Sequence, residues 1–108
     1  MTSASSDAVF RIDAFAVPAA ALSPFLERVR LTQAALDALP GCKQNLVLTR
    51  SGGNGEFNIV TIVEWSDAES MANAKAHMQA RYAEEGFDPA NFMQSLGIRP
   101  DFGLYQAV

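Results

Sequence analysis

Two extended runs joined by a glycine-rich turn constrain the fold of this chain more than any other feature. Residues 43–50 and 56–65 are rich in valine, isoleucine, threonine and aromatic side chains, which favour strands. Residues 51–55 read Ser-Gly-Gly-Asn-Gly, and an Asn-Gly pair between apolar runs supplies the positive-φ positions of a tight reversal. The pattern predicts a β-hairpin. Its second strand is apolar on both faces, with Phe57, Ile59, Thr61, Val63 and Trp65 on one face and Val60 and Ile62 on the other.

The flanking segments add two strands and three helices. Residues 9–17 alternate with period two, and residues 102–108 form a last extended run. Helical spacing predicts a first helix from a Ser23 N-cap to about residue 39, a second from a capping box at residues 66–69 to Gly86, and a short third after Asp88. The order β-α-β-β-α-(α)-β predicts an α+β, ferredoxin-like domain, a four-stranded antiparallel sheet with its helices on one face.

Length and composition limit what such a chain can do. A chain of 108 residues with 49% hydrophobic and 19% charged residues is the size of a single globular domain. We expect that domain to span residues 8–108, after a disordered polar tail at residues 1–7. The net charge of -4 argues against nucleic acid as a partner, because no positive field attracts phosphate. The longest apolar run, residues 14–22, is too short to cross a membrane.

Cysteine and histidine are each present once, which argues against a metal site and a disulfide. No phosphate-binding glycine loop or dinucleotide fingerprint is found either, so we expect no cofactor. A lone Cys42 and a polar start without a signal peptide favour a cytoplasmic protein.

One sheet face is left without helices in a ferredoxin-like fold, and both faces of the second hairpin strand are apolar. Whichever face is bare, either Val60 and Ile62 or the set that includes Ile59 and Trp65, it exposes a larger patch than a monomer usually tolerates. The sequence therefore predicts a homodimer formed through this sheet face.

Three segments resemble the antibiotic biosynthesis monooxygenase family, whose members are dimeric α+β barrels. They are Phe15-x-Val17 at the end of strand one, Pro40-Gly41-Cys42 before strand two, and residues 63–69, Val-Glu-Trp-Ser-Asp-Ala-Glu. The resemblance implies a pocket between sheet and helices in each subunit. Some members oxidise phenolic or anthrone substrates with dioxygen and no cofactor, and relatives degrade haem.

Trp65 matches the strand tryptophan that lines the pocket in the cofactor-free members. Thr61 and Met71 stand where those members have an asparagine and a tyrosine. The haem-degrading members have an asparagine on strand one and a Trp-His pair on helix two. Here strand one offers Asp13, and His77 has no neighbouring tryptophan, so haem is not expected.

The predicted site combines one base with an apolar lining. Histidine titrates near neutral pH, so His77 is the predicted catalytic base, although a histidine on the flank of a helix is often a surface residue. The predicted substrate-binding residues are Trp65, Thr61, Phe15, Met71, Met78 and Tyr82. The methionine stripe of helix two, with Met93, would line an adaptable pocket or merely pack helix on sheet.

Arg11 and Asp13 lie two residues apart on one strand face. They would form an exposed or interfacial ion pair, or present a donor and an acceptor to a ligand. We hypothesise a cofactor-independent monooxygenase that acts with dioxygen on a small electron-rich aromatic or enolic substrate. The alternative is a non-catalytic protein that binds a small apolar or aromatic molecule on the same barrel.

Overall fold

Strands and helices follow one another in the predicted order. The computed structural model describes residues 7–108, so positions 1–6 of the predicted tail lie outside the described residues. The elements are β1 (Val9–Ala16), α1 (Leu22–Asp37), β2 (Cys42–Thr49), β3 (Ile59–Trp65), α2 (Ala68–Glu85), α3 (Pro89–Ser95) and β4 (Arg99–Tyr105). None of the helices in this part of the chain has both the length and the apolar character needed to cross a membrane.

The four strands form one antiparallel sheet in the order β2-β3-β1-β4. β3 and β1 are the inner strands and pair along their lengths, with Asp13 opposite Thr61 and Phe15 opposite Ile59. β2 and β4 complete the two edges. The prediction of an α+β ferredoxin-like fold is therefore confirmed.

The last strand and the hairpin turn differ from the prediction. β4 begins at Arg99, opposite Ala16, because pairing with β1 extends three residues before Phe102. The predicted strand at residues 102–108 is therefore displaced by three residues toward the C-terminus relative to β4. The hairpin connection spans residues 50–58, and only Gly53 and Gly55 within it have positive φ. The prediction that Asn54 shares a tight positive-φ reversal is wrong, because the longer connection leaves this work to the two glycines.

Two predicted helix caps are also displaced. A 3-10 turn at Ala19–Ala21 already winds the chain, so α1 begins at Leu22 and Ser23 falls inside its first turn. α2 is capped by Asp67, whose carboxylate accepts a hydrogen bond from the Ser70 amide at 2.7 Å. Ser66 is not the cap, and its hydroxyl contacts that of Ser70 instead. Aspartate satisfies a free helical amide as well as serine does and adds a charge favourable to the helix dipole.

The register assigns the two faces of the sheet. The helices cover the face that carries Phe15, Ile59, Val63 and Trp65, all of which are buried. The opposite face carries alternate residues and has no helix over it. Its apolar side chains are Phe10, Ile12 and Ala14 of β1, Leu46 and Leu48 of β2, Val60 and Ile62 of β3, and Tyr105 of β4. We call this set the open face; Leu48 is 45% exposed and Tyr105 54% exposed.

The core beneath the helices is divided into two clusters. One surrounds Phe15, Val17, Phe25 and Ile59 and is completed by Ala21 and Ile98. The other surrounds Val9, Val63, Trp65 and Ala74. These clusters lie toward opposite ends of the inner strands, and the polar residues Asp13 and Thr61 lie between them. The middle of the covered face is therefore left without a continuous apolar core.

Asn58 fastens the end of the hairpin to the end of β1. Its side-chain amide donates to the Val17 carbonyl at 2.9 Å and accepts from the Val17 amide at 2.9 Å. Its own backbone amide donates to the Phe15 carbonyl at 3.0 Å. Val17 is buried in the first cluster, so water would not readily replace these bonds. The contact fixes the chain where β1 passes into the turn before α1.

Replacing Asn58 with aspartate tests this contact. A carboxylate still accepts from the Val17 amide but cannot donate to the Val17 carbonyl, which would be left facing a like charge. We expect unfolding free energy to fall by about 1–3 kcal/mol, measured by urea denaturation. Asn54→Asp, on an exposed part of the same connection, is the control and should be close to wild type. Equal stability of the two variants would contradict the role of Asn58.

Candidate functional site

A cavity of about 590 Å³ occupies the gap between the two core clusters. Its floor is the covered face of the sheet, and its walls are α1, α2 and the segment from Phe87 to Met93. All six predicted substrate-binding residues line it, namely Phe15, Thr61, Trp65, Met71, Met78 and Tyr82. Met93 lines it too, so the methionine stripe faces a cavity as well as packing against the sheet.

His77 lies elsewhere. Its side chain is exposed and borders a separate depression of about 230 Å³ beside Leu39, Pro40 and Asn73. At about 100° per residue, His77 points roughly 120° away from the centre of the stripe that carries Met71 and Met78. The prediction that His77 and Trp65 line one cleft is therefore wrong. The residue type suggests a base, but the helical periodicity of α2 directs this side chain away from the cavity.

The floor of the cavity carries an ion pair on the central strand β1. Arg11 Nε donates to Asp13 Oδ1 at 2.7 Å, and the side chain of Asp13 is 13% exposed. The Arg11 guanidinium lies over the Phe102 ring, 5.0 Å from its centre. The expected ion pair therefore forms, with Arg11 39% exposed. The register of β1 places both side chains on the helix-covered face, where they line the cavity.

Burial raises the pKa of the Asp13 carboxyl above its ordinary value of 3.8. The hydrogen bond and charge of Arg11 lower that pKa, and the nearby carboxylate of Asp101 raises it. Desolvation is the largest of these effects, so the carboxyl group of Asp13 binds a proton more tightly than a free aspartate does. Asp13 is therefore a candidate general base, because its carboxylate is desolvated and lies beside a cation at the floor of a cavity.

A second polar group stands on α1, at the far wall of the cavity. Arg28 Nη2 donates to Glu85 Oε1 at 2.8 Å, and the guanidinium stacks over the Phe87 ring at 3.5 Å. Tyr82, Phe87 and Phe92 form a row of aromatic rings with neighbouring centres 5.4 and 5.3 Å apart. The sequence prediction missed Arg28 and Phe87. The sequence feature that could have identified Arg28 is its position directly before Val29, which belongs to the inward-facing stripe of the first helix.

Other polar side chains in the lining are already engaged with one another. Gln33 Nε2 donates to the Asn45 carbonyl at 3.0 Å, and Asn45 Nδ2 donates to the Gln33 carbonyl at 2.9 Å and to Asp37 at 2.9 Å. These bonds tie α1 to β2. Charged side chains in the lining are concentrated around Asp13 on the floor and Arg28 on the wall, with Lys75 and Asp88 at further positions. Within residues 7–108, no three His, Cys, Asp or Glu side chains are grouped as a metal site would require.

Known structures share this architecture. No family model matches the chain, and no curated protein matches it in sequence. SnoaB from Streptomyces nogalater, a cofactor-independent oxygenase solved as a point mutant, is 24% identical with a TM-score of 0.68, over 94% of this chain and 93% of its own. A candidate antibiotic biosynthesis monooxygenase from Nitrosomonas europaea is 13% identical with a TM-score of 0.70, over 95% and 92%.

The chain has the fold of the antibiotic biosynthesis monooxygenases. A candidate monooxygenase from Shewanella loihica PV-4 agrees, with a TM-score of 0.73 and 17% identity over 95% of this chain and 96% of its own. The resemblance noted at Trp65 and its neighbours is thus confirmed at the level of fold. Since one fold supports several chemistries, the activity has to be argued from the cavity of this chain.

Replacing each of two charged neighbours should shift the pKa of Asp13 in opposite directions. Arg11→Gln removes the cation that lowers this pKa, so the pKa should rise further. Asp101→Asn removes the carboxylate that raises it, so the pKa should fall. Carboxyl carbon NMR titration of the three proteins measures both shifts.

The same shift links Asp13 to stability. A raised folded pKa means that the folded state binds the proton more tightly than the unfolded chain does. Stability from this group is therefore greatest below 3.8 and declines as pH rises through the folded pKa. An Asp13 pKa at or below 3.8 would contradict the assignment of desolvation as the dominant effect.

Proposed function

We propose that this protein is a cofactor-independent monooxygenase that oxidises a small electron-rich aromatic or enolic molecule with dioxygen. The observation that carries the proposal is the position of Asp13, a desolvated carboxylate at the floor of a largely apolar cavity beside Thr61. Such chemistry needs a base to form an electron-rich anion, a cation to hold it, and walls that exclude water.

Asp13 serves as the base in this proposal. A phenolic O–H or an acidic C–H beside a carbonyl transfers its proton to the Asp13 carboxylate, and the negative charge passes to the substrate. Arg11, held at 2.7 Å from Asp13, faces that new charge and stabilises it. A carboxylate with a raised pKa accepts the proton more readily than an ordinary one does.

The anion then supplies the electrons that dioxygen requires. For an anthrone-type methylene, the carbanion transfers one electron to dioxygen, and the resulting radicals combine to a peroxide anion. This anion takes the proton back from Asp13 to give a hydroperoxide, which regenerates the carboxylate. Loss of water converts the CH–O–OH carbon into a carbonyl. One dioxygen is consumed, one of its oxygen atoms enters the product, and the other leaves in water with the two methylene hydrogens. The reaction balances without an added reductant.

Two further observations support the proposal. SnoaB, described as a cofactor-independent oxygenase, has the same fold. The strand position four residues before Trp65 is Thr61, which lies directly opposite Asp13 on β1. Asp13 therefore stands beside the site where the resembling family members carry an asparagine, and we infer that it supplies a polar function there.

The alternative is a non-catalytic protein that binds an aromatic molecule in the same cavity. The observation that favours it is the ion pair itself, because Arg11 offsets part of the basicity of Asp13. Binding would rely on Trp65 and on the aromatic row, which need no proton transfer.

Oxygen consumption with 1,8-dihydroxyanthrone separates the two. We expect one dioxygen per quinone formed, above the spontaneous rate, and a fall of about 100-fold or more in Asp13→Asn, the usual loss when a general base is removed. The control, Asp7→Asn, makes the same change at an exposed position and should keep wild-type turnover. His77→Ala tests the base predicted from sequence.

Three results decide between the candidates. Loss of turnover in Asp13→Asn with turnover kept in His77→Ala supports Asp13 as the base. The converse result would restore the histidine and overturn the assignment to Asp13. Thermal stabilisation by the anthrone without oxygen consumption would identify a binding protein.

We further propose that the open face is covered by a second copy of the chain. Its apolar side chains come from all four strands, and burying one of them contributes about 1.5–3 kcal/mol. A second copy brings an equally apolar surface of matching shape and forms a closed two-fold pair. Ile62 pairs with both Ile12 and Leu46 at the centre of this face.

Ile62→Lys tests this assembly by placing a charge at the centre of the open face. Light scattering should give a dimer mass for wild type at micromolar concentration and a monomer mass for the variant. Leu31→Lys, at a 55% exposed leucine of α1 on the other side of the molecule, should remain dimeric. A wild-type monomer would contradict the proposal.

A further inference from the structure

Arg28 is the charged group of the cavity whose hydrogen bonding is incomplete. Its Nε is buried and has no hydrogen-bond partner among the residues that the structure describes, although Nη2 of the same guanidinium is bonded to Glu85. Buried donors without partners are rare in native proteins, and each costs free energy. The stacking on Phe87 holds the guanidinium in place despite that cost. The Arg28 side chain is 22% exposed, so an acceptor in the cavity would bond its terminal guanidinium nitrogens rather than the covered Nε.

The surroundings of Arg28 fit an anion. Phe87 covers one face of the guanidinium at 3.5 Å, and the Tyr82 ring centre lies 5.7 Å away. A stacked guanidinium binds acceptors in its own plane, as a planar carboxylate does. Aromatic walls lower the local dielectric and strengthen that interaction.

The present partner of Arg28 is replaceable. Glu85 Oε2 also lies 3.7 Å from Arg81 Nε, one helical turn earlier on α2. If a ligand carboxylate takes the guanidinium of Arg28, Glu85 keeps a cation beside it. Exchange of one carboxylate for another therefore leaves no charge unpaired, which keeps its cost low.

The other two cations in the lining are less suited to this role. Arg11 is engaged with Asp13 at 2.7 Å on the sheet floor. Lys75 is exposed, so water competes for its ammonium. Arg28 combines partial burial, a ring stack at 3.5 Å and a carboxylate partner that has a second cation beside it.

We propose that Arg28 is a specificity-determining residue that binds an anionic oxygen of the substrate, so that the preferred substrates are flat aromatic acids. This rests on the proposed function in one respect: the oxidised ring would lie over Asp13 while the carboxylate lies against Arg28. The binding preference itself requires no turnover and is measured separately.

Trp65 makes the test direct. It is the single tryptophan of the chain and lines the cavity, so a bound quinone quenches its fluorescence. Two probes share the anthraquinone ring and differ at one substituent, which is anionic in anthraquinone-2-carboxylate and neutral in 2-(hydroxymethyl)anthraquinone. We expect wild type to bind the carboxylate about tenfold more tightly, as one charged hydrogen bond of this kind would give.

Three variants locate the preference. Arg28→Gln should abolish it while leaving affinity for the hydroxymethyl probe unchanged, which also shows that the variant is folded. Glu85→Gln removes the competing carboxylate and should strengthen the preference several-fold. Arg30→Gln, an exposed arginine two residues away on α1, removes the same charge and should keep it.

Defined results would overturn the inference. These are equal binding of the two probes by wild type, absence of quenching by either, or a preference that survives Arg28→Gln and disappears in Lys75→Gln. Failure of the proposed function has a different signature. In that case the charge preference persists and follows Arg28, but no oxygen is consumed with the anthrone, and the anion site belongs to a binding protein.

Discussion

The Arg11–Asp13 ion pair in the middle of the central strand determines how the rest of the structure is arranged. A continuous apolar floor would let α2 pack against the sheet and close the interior. Two charged side chains at that place cannot be covered by methyl groups without a large desolvation cost. The core is therefore divided into one cluster around Phe15 and another around Trp65, and the space between them is the cavity.

Competition between desolvation and pairing at Asp13 also sets the chemistry available there. A carboxylate in water would be a weak base, and one fully neutralised by arginine would be weaker still. Here burial outweighs the hydrogen bond and charge of Arg11, so the carboxyl group favours the proton more than usual. Ionisation of this group therefore lowers the stability of the fold as pH rises through the raised pKa. Perturbed pKa values of this kind cluster at functional sites, and this one lines a cavity.

The sequence predicted the lining of the cavity better than its functional groups. The inward direction of Trp65 and Met78 can be predicted from the sequence, because the repeat of a strand or a helix decides locally which way each side chain points. Asp13, by contrast, becomes a candidate base only when the sheet register and the helices bury it. Arg28 becomes conspicuous only when an aromatic ring and a carboxylate from the end of α2 meet it. His77 is a candidate by residue type alone, and the helix face that carries it is turned away from the cavity.

Single strands connect the floor of the cavity to the open face, because alternate residues of each strand point to opposite faces of the sheet. In β1, Ile12 lies between Arg11 and Asp13 and points to the open face, while its neighbours point into the cavity. In β3, Ile62 likewise points to the open face, while its neighbours Thr61 and Val63 point into the cavity. A second copy packed on these two isoleucines would hold the strands rigid, and with them the spacing of the ion pair. A carboxylate whose pKa depends on a fixed contact of 2.7 Å gains from such support, because small displacements of the guanidinium change both that pKa and the position of the carboxylate. Burial of the open face would thus order the floor of the cavity from behind, without contributing a residue to it.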